Sequence, residues 1–165
     1  MTLIPTIEYV LPQKGPLLDV PVPDPARAHP PFRRLECPQE IIEVLFGRTP
    51  IRWFLQPNFL ALIQRYVGHL YVSVALNGDP LRRKPDFERL IGVDDVWIMG
   101  FRQPRMSQWR MMGRFVQQDH FVGLELYDRR FLDGQRKYHK VAEGFPDRWN
   151  MFTANKPIIV GSSVH

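Results

Sequence analysis

The residues in this chain best suited to chemistry are arginines that lie in, or at the ends of, apolar segments. They are Arg102, Arg110, Arg114, Arg129 and Arg130. A guanidinium group stays charged at physiological pH and donates paired hydrogen bonds to phosphate oxygens. Because neighbouring strands lie about 5 Å apart, arginines at similar heights on adjacent strands can converge on one patch. The pattern therefore predicts a cationic surface that can hold a phosphodiester.

Basic residues also follow these arginines along the chain, whereas two acids lie among them. The basic stretch "QRKYHK" supplies Arg136, Lys137, Tyr138, His139 and Lys140. Glu125 and Asp128 lie beside the predicted phosphate surface. Alternation along a strand points Asp128 away from Arg129, but it puts Glu125 on the face of Tyr127 and Arg129. Glu125 therefore either neutralises the surface through an ion pair or leaves it free for phosphate.

Composition excludes several other kinds of site. The chain has a single cysteine, Cys37, so neither an internal disulfide nor a multi-cysteine zinc site can form. Its five histidines are scattered, and the P-loop, GxGxxG, HExxH and GxSxG motifs are absent. We therefore expect no metal and no cofactor. The net charge of +5 favours an acidic partner such as nucleic acid.

The N-terminal sequence bears on localisation. It has no basic n-region followed by a long apolar run, and no stretch of about 18 consecutive apolar residues occurs in the sequence. We therefore expect a cytoplasmic protein without a membrane segment.

The elements that must position the arginines are predicted by three apolar segments with short connections. These are "DDVWIMGFRQ", "QWRMMGRFVQ" and "HFVGLELYDRR", which read as an antiparallel meander at 95–130. On the middle segment, alternation gives Trp109, Met111 and Phe115 to the core face. The same alternation gives Arg110 and Arg114 to the opposite face.

The preceding segments predict helices and one more strand. "CPQEIIEVLFG" and "PNFLALIQRYVGHL" have the proline starts and apolar spacing of short amphipathic helices. "TPIRWFLQ" predicts a strand near 50–56, and "KPDFERLIG" predicts a short helix that ends at Gly92. Together these patterns predict an α+β domain at 37–150, with helices packed on one face of a small antiparallel sheet.

The two ends of the chain are predicted to lie outside this domain. Half of the sixteen prolines fall in the first 31 residues, so residues 1–36 should form an extended arm. This arm is either a flexible tail or a segment that packs along its own domain, a second subunit or a partner. Residues 151–165 are expected to be a C-terminal tail or a closing strand.

The strand segments resemble the RelE/HigB toxin superfamily, small metal-independent ribonucleases of toxin and antitoxin pairs. "GFR", "WR" and "LELYDRR" are similar to the family's successive strand signatures, and the similarity spans about residues 50 to 140. The positions that match the family's basic and aromatic residues are Arg102, Arg110, Tyr127, Arg129 and Arg130. Gly100 and Glu125 depart from the pattern, where glutamate and histidine are usual.

The resemblance implies cleavage of RNA, free or on the ribosome, and a cognate antitoxin protein as inhibitor. In that mechanism the ribose 2′-hydroxyl attacks the adjacent phosphate, and the enzyme must move protons and stabilise an anionic phosphorane. Arg110 and Arg130 would hold the phosphate, and Tyr138 or His139 would handle the protons. The residues implied to support substrate binding are Arg102, Arg114, Tyr127 and Arg129.

Two further functions stay open at the level of sequence. One is a noncatalytic module of the same basic fold that binds nucleic acid or a protein through the arginine face. The other is an interaction protein, encoded by a phage or plasmid, that forms a homo-oligomer through residues 1–36. In that case the apolar side chains of residues 4–18 would be buried against another subunit.

Overall fold

The computed structural model describes residues 9–10, 17–21, 33–48, 56–68, 70–76, 85–90, 92–101, 109–128 and 135–153. Within these ranges the chain forms strands and helices. The strands are β1 (Tyr9–Val10), β2 (Leu17–Asp19), β3 (Arg34–Pro38), β4 (Val74–Ala75), β5 (Phe87–Arg89), β6 (Trp97–Gly100), β7 (Trp109–Gln117) and β8 (His120–Asp128). The helices are α1 (Gln39–Leu45), α2 (Gln56–Val67), α3 (Gln135–Glu143) and α4 (Phe145–Thr153).

The strands form one mixed sheet with β8 in its interior. The spatial order is β2-β3-β8-β7-β6-β5-β4, and β1 pairs with β8 on the edge that β3 also uses. The pairs β3–β8 and β4–β5 are parallel, and the other pairs are antiparallel. All nine residues of β8 are buried. The segment "HFVGLELYD", which forms β8, therefore lies in the interior of the sheet and not at its edge.

The predicted small antiparallel sheet is wrong in its size and composition. The meander β6–β7–β8 is present, but the sheet extends beyond it on both sides and contains parallel pairs. "KPDFERLIG" was predicted as a helix, whereas residues 87–89 form β5 and pair with β6. Phe87 is buried in this pairing, and a non-local contact of this kind overrides local helical preference. The predicted strand near 50–56 falls mostly on residues 49–55, which are outside the described residues, and Gln56 begins α2.

One side of the sheet is covered by α1 and α2, and we call it the first face. Helix α1 begins after Pro38, whose φ of −57° suits a helix start, and ends before Gly47 at a φ of +71°. Helix α2 buries Phe59, Leu62 and Ile63 at the spacing of one helix face. These helices pack on side chains from β3, β5, β6, β7 and β8.

The opposite side of the sheet, which we call the second face, is covered by α3 and α4. Phe145 and Trp149 of α4 are buried against Met112 and Val122 of the sheet. The prediction that helices pack on one face is therefore wrong, because the polar stretch after residue 133 forms two helices that cover the other face. The fold is α+β, with a helical layer on each side.

A bulge between β7 and β8 sets which side chains reach the second face. The register shifts between Met112 and Gly113, so Gly113 pairs with Gly123 and Leu124 is the extra residue of β8. A β-carbon on Gly113 would collide with the Val122 carbonyl oxygen, so this crossing needs glycine. Leu124 and Glu125 both lie on the second face as a result.

The described parts of the proline-rich arm belong to this same sheet. β1 pairs Tyr9 with Tyr127, and β2 pairs with β3. Leu17 packs against the core of the second face, whereas Leu18 is 39% exposed. These segments of the arm therefore bind their own domain. Residues 154–165 of the predicted tail lie outside the described residues.

Candidate functional site

The structure describes the side chains of half of the residues predicted for the phosphate site. Arg102, Arg129 and Arg130 lie outside the described residues, and Tyr138 lies in α3 with its side chain outside them. The four described side chains are those of Arg110, Arg114, Tyr127 and His139.

Arg114 is a buried cation packed under α4. It is only 3% exposed, and its guanidinium lies 5.3 Å from the ring centre of Trp149 and 5.8 Å from that of Phe145. Its Nη2 donates a 2.9 Å hydrogen bond to the carbonyl oxygen of Asp94, and its Nε has no hydrogen-bond partner among the described residues. Burial lowers the pKa of Arg114, although the charges of Asp95 and Asp94 oppose this. In this conformation Arg114 packs the helix and does not face solvent.

Tyr127 and Glu125 form a buried polar network with Arg148 of α4. Glu125 is fully buried and accepts a 2.6 Å hydrogen bond from the Tyr127 hydroxyl. Arg148 donates to the same carboxylate through Nε, and through Nη2 at 3.0 Å. Its Nη2 also donates to the Val141 carbonyl oxygen of α3 at 2.8 Å. We call this set of contacts the Arg148 latch, because it fastens both helices to β8.

The protonation of the latch follows from its burial. Burial raises the pKa of Tyr127, and the negative charge of Glu125 raises it further, so the hydroxyl keeps its proton and can donate. Burial works against the charged form of Arg148, but its hydrogen bonds and ion pair with Glu125 outweigh this and raise its pKa. Glu125 is therefore held by one neutral and one cationic donor.

Sequence reasoning missed Arg148, although one signal for it was present. A carboxylate in an apolar strand needs a buried cation or donor, because an unpaired buried charge is costly. Glu125 thus predicted that some cation would reach it. The identity of that cation depends on a contact across 23 residues, which strand spacing alone does not give. Asp128 is also buried, at 8% exposure, at the far end of β8.

Arg110 is the predicted arginine that reaches the margin of the second face. It is half-buried and lies directly opposite Tyr127 and Gly100 on the neighbouring strands. Its Nη1 lies 3.0 Å from the position that a β-carbon on Gly100 would take. Its Nη1 also donates to the Trp109 carbonyl oxygen at 3.3 Å. Glycine at position 100 therefore makes room for the guanidinium.

His139 lies at the other end of β6 from Arg110. It is exposed, and its Cε1 atom is 4.0 Å from where a β-carbon on Gly92 would stand, in the loop before β6. Gly100, which is level with Arg110, lies at the opposite end of that strand, three residues beyond Trp97. Three strand residues span about 10 Å. His139 and Arg110 thus lie towards opposite ends of β6.

Lys140 of α3 differs in its pairing from three of the described arginines. Arg33, Arg34 and Arg65 form ion pairs with Asp119, Asp19 and Asp86, at 3.0, 3.0 and 3.2 Å. Lys140, in contrast, is exposed and has no ion-pair partner in the part of the chain that the structure describes.

Two other kinds of site are not found in the described ranges. No group of three or more metal-ligating side chains lies close enough to hold an ion. None of the described helices is long and apolar enough to cross a membrane.

Comparisons with protein-family models, curated proteins and solved structures find no match to this chain.

Proposed function

We propose that this chain is a noncatalytic nucleic-acid-binding module that contacts the phosphate backbone through α3. The observation that carries this proposal is the cationic helix itself. Basic residues occupy positions 136, 137 and 140, which helix spacing of three and four places along one side. The described cation of this set, Lys140, is exposed and unpaired among the described residues. An overall charge of +5 adds long-range attraction to a polyanion.

The positions of the four described site residues support binding over catalysis. Arg114 and Tyr127 are enclosed by α4, and Arg110 and His139 lie at opposite ends of β6. A nuclease needs its phosphate ligands and proton-transfer groups around one phosphate. A backbone-binding module needs only a row of cations matched to successive phosphates.

Salt-dependent binding of single-stranded RNA tests the proposal. A variant that replaces Arg136, Lys137 and Lys140 by glutamine should bind more weakly, and the slope of log K against log salt should fall by about 2, or roughly 0.7 per lost phosphate contact. The control is Arg48→Gln, which removes one positive charge from an exposed arginine after α1 and should leave binding unchanged. Equal affinities and slopes for the triple variant and the unsubstituted protein would contradict the proposal.

A second candidate is the metal-independent endoribonuclease that the RelE/HigB resemblance implies. One observation favours it: Arg110 and Tyr127, two of the matched positions, lie side by side on adjacent strands. Its test is incubation with RNA and ribosomes in the presence of a chelator. Cleavage that Arg110→Ala abolishes would support the nuclease, whereas RNA that stays intact would leave the binding module as the better account.

A further inference from the structure

We infer that α3 and α4 form a cover that opens as a unit and exposes a second set of cations, Arg114 and Arg148, to nucleic acid. This regulation rests on the proposed function, because the exposed cations would extend the α3 binding surface. The opening itself is a property of the fold and can be measured without any ligand.

The contacts beneath the cover are few and partly polar. The apolar seal consists mainly of Phe145 and Trp149, supported by the half-buried Val141 and Phe152. Polar contacts beneath the cover include the Arg148 latch on Glu125 and the packing of the Arg114 guanidinium against the rings of Phe145 and Trp149. Buried ion pairs contribute little net stability, since the cost of removing both charges from water offsets their attraction.

The rest of the molecule does not depend on the cover for its backbone pairing. β8 pairs with β7 on one edge and with β3 and β1 on the other. Among the described residues, the core of the first face consists of side chains from α1, α2, the sheet and the residues that adjoin the strands. Each cover helix has nine residues, which is shorter than a helix that is stable on its own in water. Local opening of α3 and α4 therefore leaves the first face intact and loses only the contacts of the second face.

Closure hides two cations, and one of them, Arg114, lacks a full set of hydrogen-bond partners among the described residues. The Nε of Arg114 is buried without a hydrogen-bond partner among the described residues. Opening gives this group water or a phosphate oxygen and frees Arg148 from Glu125. A polyanion that contacts these groups binds the open form more tightly, so it shifts the population towards the open form.

The variant Glu125→Gln tests the cover. Glutamine keeps an acceptor for the Tyr127 hydroxyl but removes the charge that holds Arg148. Hydrogen exchange of the protein without RNA should become faster in α3 and α4 by about tenfold or more, with the amides of β7 and β8 unchanged. The control is Glu43→Gln on α1, which makes the same change in net charge on the opposite side of the sheet and should change neither segment.

The outcome in RNA binding separates the cover from the proposed function. With a cover, Glu125→Gln binds RNA more tightly than Glu43→Gln, and its salt slope steepens by about 1.4 for two added phosphate contacts. Equal binding by these two variants overturns the cover. If no variant binds RNA, the proposed function fails, and hydrogen exchange alone tests the cover. The cover is then overturned if the amides of α3 and α4 exchange at the same rate as those of β7 and β8 in both Glu125→Gln and Glu43→Gln.

Discussion

The two faces of the sheet are stabilised in different ways. Among the described residues, the core of the first face contains 21 buried apolar side chains, and that of the second face contains nine. The second face adds a fully buried carboxylate, a buried arginine and an ion pair to α4. The first face thus depends mainly on apolar burial, with the ion pair between Arg65 of α2 and the buried Asp86 as a polar addition. The second face has a smaller apolar core and relies more on directional contacts.

This difference indicates which face of the sheet can open more easily. Apolar burial is non-directional and tolerates small shifts, but polar contacts fail together when one partner leaves. The cations proposed to bind nucleic acid are concentrated on the less apolar side. The proposed function therefore assigns binding to the second face, whereas most of the apolar burial lies on the first.

The largest expected effect is a difference in the free energy of unfolding between alanine substitutions of one aromatic residue in each core. Phe87 is 1% exposed and lies 5.1 to 5.6 Å from the rings of Tyr66, Phe115 and Phe121. Phe87→Ala should lower the free energy of unfolding by about 3–5 kcal/mol. Trp149→Ala should lower it less, because the loss cannot exceed the free energy that holds the cover closed. Denaturant unfolding measures both variants, and equal losses would remove the distinction between the faces.

A smaller effect is expected when one tyrosine hydroxyl on each face is removed and the losses of stability are compared. Tyr127→Phe removes a donor to the charged Glu125, which should lower the free energy of opening the cover by about 1.5–3 kcal/mol. On the first face, the buried Tyr66 hydroxyl lies near the Phe121 backbone without the geometry of a full hydrogen bond, so Tyr66→Phe should cost less than Tyr127→Phe. Hydrogen exchange and denaturant unfolding measure these changes. A greater loss from Tyr66→Phe would reverse the expected order.

The smallest expected effect concerns pH and the buried Asp95. Burial raises the pKa of Asp95, and its hydrogen bond from Trp97 and the nearby Arg89 and Arg114 only partly offset this. The folded protein therefore holds this proton to a higher pH than the unfolded chain, and stability falls as pH rises through that interval. Asp95→Asn removes the penalty, and asparagine also tolerates the φ of +51°.

Unfolding measured between about pH 3 and pH 7 checks this prediction. The Asp95→Asn variant should be more stable than the original protein at neutral pH, and the gain should disappear below about pH 3.9, where the carboxyl is protonated in both states. A variant that is less stable than the original protein at neutral pH would show that the charged carboxylate is favourable.

The elements that follow local rules could be predicted from the sequence. Pro38 and Gly47 bracket α1, and the spacing of Phe59, Leu62 and Ile63 marks α2. The three strands of the meander could be predicted because apolar runs and short connections are both local signals.

The elements that depend on distant partners could not be predicted in this way. β5 exists because Phe87 pairs with Met99 on β6, and the second helical layer exists because α4 packs over the second face. Prediction of the candidate site from the sequence was incomplete for the same reason, because it also depends on distant contacts. Strand alternation placed Arg110 and Arg114 on one face, but it could not show that Trp149 and Phe145 cover Arg114.

Cys37 offers a direct measurement of the central claim, that the second face opens while the first stays closed. It is the chain's only cysteine, and it is buried on the first face with its Sγ 3.8 Å from the Met111 Sδ. Burial raises the pKa of its thiol, so labelling requires opening of this core. Thiol labelling and amide exchange of α4, followed in the same sample, should give a lower opening free energy for α4 than for Cys37. Equal opening free energies at the two sites would contradict the account.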